Sequence, residues 1–227
     1  RVVLSNATSS KIADETKSYY LKRHQVRLSV EIFHRPRERS TLVKEALRKE
    51  ITEITTKAWE DFGDVVQKWF DWASLLVLAK MDGKVVGFKA CYFEGNHTIL
   101  FLASFVLPEY QSGDIAKKMQ NLMVQKFLHQ RGIKYFFDTT WFTFRTRNPR
   151  VMQTVAKFNA FPSIKDRKPS AAEVEIAKKV AALFSPNCEF DECNFVLKGA
   201  LNDRPELLAK DKVFYSKNQK LNDFCNK

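Results

Sequence analysis

The stretch that decides the fold is Phe105-Val106-Leu107-Pro108-Glu109-Tyr110-Gln111-Ser112-Gly113-Asp114-Ile115-Ala116. An apolar strand runs into it, and that strand must stop or splay at Pro108 because proline cannot donate to a ladder. A helix begins directly afterwards. Such a turn presents consecutive backbone N–H groups at the positive end of the helix dipole. The sequence therefore predicts an anion-binding site here, with an ordinary strand–helix turn that binds no ligand as the alternative.

Three predicted strands lead into this stretch. Leu75–Met81 is apolar at strand length, and the Asp82-Gly83 dipeptide after it is typical of a hairpin turn with positive φ at both central positions. The chain then returns along Val85–Phe93, and a third strand runs along Thr98–Val106. We expect Val85–Phe93 to pair antiparallel with both of the others.

A helix and a further strand are predicted after the stretch. Apolar side chains from Ile115 to Phe127 recur at helical spacing, and Arg131-Gly132 is typical of a helix end. Ile133–Asp138 is apolar at strand length. Because a helix crosses back between them, this strand should lie parallel to Thr98–Val106.

The outer parts of the chain show fewer patterns. Val26–Ile32 alternates as a strand does, Leu42–Lys57 has helical spacing, and Ser170 with Glu173 forms a predicted capping box. We expect three segments: an N-terminal extension over residues 1–25, one main domain over 26–200, and a C-terminal extension over 201–227.

Residues 105–116 resemble the coenzyme A loop of the GNAT superfamily of acyl-CoA-dependent N-acyltransferases. The family pattern is an apolar strand, Val-x-Pro-Glu-Tyr, Gln or Arg, two residues, Gly, one residue, and Gly or Ala. The chain matches this pattern at Val106, Pro108, Glu109, Tyr110, Gln111 and Ala116. It departs at Asp114, where the family has glycine, and a carboxylate there opposes the charge of a phosphate.

A second landmark lies further along the chain. In the family, a later motif begins with Asn and opens a helix beside the cofactor, and Asn148 with Val151 is similar to it. Val155 stands where the family often has the tyrosine that serves as general acid. The resemblance covers Leu42 to Phe161.

The resemblance implies an α/β fold of the GNAT type: a mixed central sheet with splayed strands, flanked by helices, here with N- and C-terminal extensions. It implies acetyl-CoA or another acyl-CoA as co-substrate and no metal. Phe105 and Val106 would contact the pantetheine arm, with Asn148 on its other side. The pyrophosphate would lie against Gln111, Ser112, Gly113, Asp114, Ile115 and Ala116.

The general base is not indicated by any motif. Asp138, at the end of the predicted parallel strand, and Glu94, at the end of the hairpin, are the two candidate catalytic residues. A solvated or helix-capping carboxylate is the alternative for each.

Composition and charge bound the function. The 227 residues carry a net charge of +12, no apolar run has transmembrane length, and we expect a soluble cytoplasmic protein. Four cysteines show no two-pair metal spacing, so they are expected to be thiols, although Cys188 and Cys193 are close enough in sequence to share a metal or a disulfide.

Three functions are compatible with these patterns. The first is an N-acyltransferase acting on an unidentified amine, either a small molecule or a protein. The second is a GNAT-fold protein that binds acyl-CoA with little or no catalysis. The third, a basic nucleic-acid-binding module, is disfavoured because the basic residues are scattered along the chain. Nothing in the sequence indicates the oligomeric state.

Overall fold

The structure, a computed structural model, describes residues 13–21, 26–58, 63–111, 114–135, 138–146, 148–155, 160–162, 167–200 and 217–225. The chain divides into two compact units, Arg1–Phe144 and Arg145–Lys227.

The first unit is built on a six-stranded sheet in the order β1-β2-β3-β4-β5-β6. Its strands are β1 Glu15–Leu21, β2 Val26–His34, β3 Leu75–Met81, β4 Lys84–Glu94, β5 Thr98–Val106 and β6 Trp141–Phe144. Its α-helices are α1 Thr41–Ala58, α2 Gly63–Trp72 and α3 Ile115–Arg131. All neighbouring strands are antiparallel except β5 and β6, which are parallel. The predicted α/β architecture with a mixed sheet is confirmed.

The β3–β4 hairpin forms where the Asp-Gly turn predicts it. Asp82 has φ 49° and Gly83 has φ 76°, the left-handed conformations that a two-residue hairpin turn requires. β4 then pairs antiparallel with both β3 and β5, as predicted.

Helices cover both faces of the sheet. α3 packs on one face against a set of buried apolar side chains. These include Val30, Ile32, Val77, Ala79, Cys91, Ile99, Met119, Leu122, Met123 and Phe127. α1 and α2 cover the other face, around one small internal space lined by Ile51, Trp69, Phe70, Ala73, Leu76, Phe88 and Ala90.

Strand β1 was not expected in the sheet, because its residues were assigned to an N-terminal extension. Its inward positions include Glu15 and Lys17, so the strand lacks the apolar alternation that predicts half-buried strands. Two contacts with α3 hold the strand in place of apolar packing. Glu15 forms an ion pair with Lys126, and the ring centroid of Tyr19 lies 4.8 Å from the ammonium nitrogen of Lys118.

The predicted strand Ile133–Asp138 is wrong. Ile133–Tyr135 is a 3-10 helix, and the strand parallel to β5 is Trp141–Phe144. The buried Arg131 side chain explains the difference, because it donates to the carbonyl oxygens of Tyr135 and Asp138 and, at 2.6 Å, to the hydroxyl of Thr140. These bonds use carbonyl groups that a strand would direct to its neighbours.

The described residues of the second unit form helices and a small hairpin. Its elements are α4 Pro149–Val155, α5 Ala171–Phe184, β7 Glu189–Asp191, β8 Val196–Lys198 and α6 Gln219–Cys225. The predicted capping box is present: the Ser170 hydroxyl accepts from the Glu173 N–H, and the Glu173 carboxylate accepts from the Ser170 N–H. The predicted segment 26–200 is thus divided between two units, and part of the segment 201–227 belongs to the second.

All four cysteines are free thiols, so Cys188 and Cys193 do not form a disulfide. Among the described residues, no group of three or more His, Cys, Asp or Glu side chains is arranged to hold a metal ion. None of the described helices combines the length and apolar character that a membrane crossing requires.

Candidate functional site

Strand β5 is paired with β6 along only its first half. The parallel pairs run from Thr98 opposite Trp141 to Phe101 opposite Phe144. Beyond them, no strand in the described part of the chain pairs with residues 102–106 on this side. We call residues 102–106 the open edge.

A β-bulge at Leu102 marks the start of the open edge. In the β4–β5 register, Ala90 faces Ala103 and Cys91 faces Phe101, so Leu102 is the extra residue. A bulge bends the strand that carries it and interrupts pairing. This bend accounts for the parting of β5 from β6, which the sequence analysis had ascribed to Pro108 alone.

The open edge leads into a tight turn. Pro108–Tyr110 forms one 3-10 turn, in which the Gln111 N–H donates to the Pro108 carbonyl at 3.2 Å. The side-chain amide of Gln111 donates to the Val106 carbonyl at 3.0 Å. Within the turn, Gln111 thus uses its backbone N–H and one N–H of its side-chain amide. The predicted contact of Gln111 with the pyrophosphate stays a prediction.

Helix α3 begins at Ile115 behind a residue in the left-handed conformation. That residue is Asp114, with φ 59° and ψ 7°, and its exposed side chain makes no capping hydrogen bond. Aspartate tolerates positive φ better than most residues, so it occupies the position where the family has glycine. Ile115 is buried and anchors the helix end, while Ala116 is exposed. Ser112 and Gly113 lie outside the described residues.

Strand β4 approaches the open edge closely at Gly87, a residue that the sequence analysis did not single out. A Cβ atom built there would lie 2.8 Å from the Phe105 carbonyl oxygen and 3.1 Å from Val106 Cγ2. A glycine inside an apolar strand is the signal for such an approach.

The two predicted catalytic carboxylates lie at the opposite end of β5. Glu94 pairs with Thr98, the first residue of the strand, and Asp138 lies before β6, with its Oδ2 4.0 Å from Nδ1 of His97. The nine-residue strand separates both from Val106 by about 25 Å. The expectation that Asp138 ends the strand parallel to β5 is wrong, because residue 138 precedes that strand.

Lys89 on β4 is a candidate functional residue that the sequence analysis did not single out. It pairs with Ser104 of the open edge, and its Nζ donates to Oε1 of Gln120 on α3 at 2.9 Å. Nζ also lies 4.9 Å from the ring centroid of Phe101, the last residue of β5 that pairs with β6. Only 6% of the residue is exposed, and this burial lowers the pKa of Lys89 to about 8. A lone lysine within the apolar run of β4 was the available signal.

Asn148 belongs to the second unit and precedes α4. Its carbonyl accepts from Val151 N–H at 3.0 Å and Met152 N–H at 3.2 Å, and its own N–H donates to Oγ1 of Thr146 at 3.0 Å. The predicted helix start is confirmed. The predicted contact of Asn148 with the cofactor stays a prediction.

Comparisons with known proteins concern the family and the fold. The sequence model of the acetyltransferase (GNAT) family matches residues 44–150. No curated protein matches the sequence.

Several solved structures are similar to part of the chain. A probable acetyltransferase from meticillin-resistant Staphylococcus aureus is 12% identical with a TM-score of 0.43, and the match covers 62% of this chain and 96% of that one. A ribosomal-protein-alanine N-acetyltransferase from Brucella melitensis is 12% identical with a TM-score of 0.43, over 63% and 97%. The aminoglycoside acetyltransferase AAC(6')-Iy, in complex with a bisubstrate analogue, is 12% identical with a TM-score of 0.42, over 63% and 99%.

Proposed function

Because residues 44–150 belong to the acetyltransferase (GNAT) family, we propose that the chain is an N-acyltransferase that takes an acyl group, acetyl in the first instance, from acyl-CoA and transfers it to an amine. The family and the fold predicted from the sequence are confirmed. The acceptor, a small molecule or a protein, is not identified. The expected cytoplasmic location is part of the same proposal.

The observation that carries the proposal is the continuity of the open edge with the start of α3. Residues 102–106 offer strand N–H and C=O groups to the amides of a pantetheine arm, in the way that an added strand pairs with a sheet edge. One turn later, the N–H groups of Ile115 and Ala116 lie at the positive end of a 17-residue helix, where a pyrophosphate is stabilised. The exposed carboxylate of Asp114 opposes that charge, and it makes no capping hydrogen bond with the helix.

The residues of the first unit fit the chemistry of acyl transfer. Bound acyl-CoA would supply a thioester whose carbonyl carbon is attacked by an amine. An N–H of the open edge donates to the carbonyl oxygen, on which negative charge develops during the attack. The edge also holds the reacting carbon in a fixed place. Part of the translational and rotational entropy that the reaction requires is therefore already lost when acyl-CoA binds.

A second candidate is an acyl-CoA-binding protein without efficient catalysis. Two observations favour it: Glu94 and Asp138 lie at the opposite end of β5, and α4 carries Val155 where the family often has tyrosine. Both candidates share the binding site and differ only in turnover. No observation on the described residues favours the third function, a basic nucleic-acid-binding module.

The experiment that tests the proposal has two arms. Acetyl-CoA at 100 times its dissociation constant should stabilise the protein by about 2.7 kcal/mol, which raises Tm by about 5–10 °C. Adenosine 3',5'-bisphosphate, which lacks the pantetheine arm, should stabilise less. A panel of primary amines is then screened for release of free thiol from acetyl-CoA. Stabilisation with thiol release supports the enzyme, stabilisation alone supports the binding protein, and no stabilisation contradicts both.

A further inference from the structure

Lys89 is a buried cation that forms no ion pair with any described carboxylate. Among the residues that the structure describes, no carboxylate oxygen lies within 4 Å of its Nζ, and its polar partner is the neutral amide of Gln120 at 2.9 Å. Burying an isolated ammonium is unfavourable, and proteins normally pair such a group. Gln120 is itself exposed, so the amine lies only one side chain below the surface.

A second buried lysine in the same sheet shows the usual arrangement, in which carboxylates pair with the buried ammonium. Lys80 on β3 is 4% exposed, and its Nζ lies 2.9 Å from Oε2 of Glu31 and 3.2 Å from Oε1 of Glu50. Two carboxylates therefore supply the counter-charge beside the Lys80 ammonium. The contrast with Lys89 lies in the partners and not in the depth of burial.

The amine of Lys89 lies where strands β5 and β6 part. Its Nζ lies over the ring of Phe101, which stacks on Phe142 of β6 with ring planes 9° apart. This is the point at which β5 and β6 part and the open edge begins. A ligand with its phosphates at Ile115 and its arm along the open edge directs its acyl end toward this point.

We propose that Lys89 is an acyl acceptor within the chain, which takes the acyl group from acyl-CoA held along the open edge. This inference rests on the proposed function. Neutral Nζ attacks the thioester carbonyl carbon, the C–N bond forms and the C–S bond breaks. The proton lost from Nζ goes to the leaving thiolate, so the products are Nζ-acyl-Lys89 and free coenzyme A.

The surroundings of the amine favour this product. The groups beside it in the described residues are the thiol of Cys91 on β4, the amide of Gln120 on α3 and the ring of Phe101 on β5. Ser104 is the residue opposite Lys89 in the strand register. Burial raises the pKa of the Cys91 thiol, so that group stays neutral. With no anion among these groups, the neutral form of Lys89 is accessible near pH 8, and acylation removes a buried charge.

The test uses the whole chain, incubated with acetyl-CoA at pH 7, 8 and 9. Intact mass should increase by one acetyl group, and peptide mapping should place it on Lys89. With a pKa near 8 about one tenth of Lys89 is neutral at pH 7, so we expect it to react at least about tenfold faster than any other lysine. Lys89→Arg keeps the charge and should abolish the modification, whereas Lys84→Arg, at an exposed position of β4, should not. Free coenzyme A should compete.

The outcomes separate this inference from the function on which it rests. Stabilisation by acetyl-CoA, with acetyl groups spread over exposed lysines and unchanged by Lys89→Arg, overturns the inference and leaves the proposed function intact. If acetyl-CoA does not stabilise the protein, both fail, because the proposal requires a bound donor. Unfolded protein, incubated in parallel, gives the background rate of chemical acetylation.

Discussion

Replacing Lys89 by methionine should stabilise the protein, although it removes a polar contact in the interior. Methionine keeps the unbranched shape of the side chain and carries no charge. The lowering of the Lys89 pKa from 10.5 to about 8 corresponds to about 3 kcal/mol of unfavourable charging free energy in the folded state. Loss of the bond to Gln120 and of the contact with the Phe101 ring offsets about half of this. We expect a net gain of about 1–2 kcal/mol at pH 7, or about 2–8 °C in Tm.

The stability gained by Lys89→Met should be lost as the pH rises. Below about pH 8 the lysine is protonated in both states, so the folded wild type carries the whole penalty. Between about pH 8 and 10.5 the unfolded chain binds more protons than the folded one, so the stability of the wild type rises with pH. The advantage of Lys89→Met is therefore constant below about pH 8 and disappears as the pH approaches 10.5.

Urea unfolding measured by tryptophan fluorescence is the suitable assay, because all four tryptophans, at positions 59, 69, 72 and 141, belong to the first unit. Lys80→Met is the matched control. It leaves the carboxylates of Glu31 and Glu50 without their cation and should destabilise the protein by about 3–5 kcal/mol. The reasoning is refuted if Lys89→Met destabilises the protein as Lys80→Met does, or if its effect is the same at pH 7 and pH 10.5.

Three further substitutions test the site. Gly87→Ala places a Cβ atom 2.8 Å from the Phe105 carbonyl oxygen, so it should lower the stability by about 1–3 kcal/mol and weaken coenzyme A binding. Unchanged affinity in calorimetry would mean that the ligand does not bind at the open edge. Asp114→Gly removes a carboxylate from the start of α3 and relieves a left-handed aspartate, so calorimetry should show coenzyme A binding tighter by about 0.3–1 kcal/mol. Equal or weaker affinity would mean that the carboxylate organises the turn. Asp138→Asn, at the opposite end of β5 from Val106, should leave both coenzyme A affinity and turnover unchanged, and a loss of turnover by about 100-fold would restore it as the general base.

The sequence predicts the centre of the fold well because its signals there are local. The Asp82-Gly83 turn needs two left-handed residues, and the change from strand to helix around Pro108 appears as a change of period. β1 could not be predicted because two of its inward positions are charged, and the ion pair that Glu15 forms there is with Lys126, a residue of α3 that is distant in sequence. Likewise, Ile133–Tyr135 has strand-like composition, and it is the Arg131 side chain that holds it in another conformation.

The site divides in the same way. The end of β5, the turn at Pro108–Tyr110 and the start of α3 could be predicted from the sequence, since they follow one another along the chain. The predicted ligand contacts of these residues stay predictions. The bulge at Leu102 and the counter-charge of a buried lysine depend on which residues are paired across strands. No pattern along the chain distinguishes Lys80, which has two carboxylate partners, from Lys89, which has a neutral one. Asp138 was misplaced for the same reason, because its position follows from the register of β6.

The central claim is that acyl-CoA lies along the open edge with its phosphates at the start of α3. Amide hydrogen exchange, with and without saturating acetyl-CoA, tests it most directly. If acyl-CoA binds there, exchange should be slower at residues 102–106 and at Ile115 and Ala116, with no change at the hairpin that contains Glu94 and Thr98. Stabilisation by acetyl-CoA without protection at the open edge, or with protection confined to the hairpin end of β5, would contradict it.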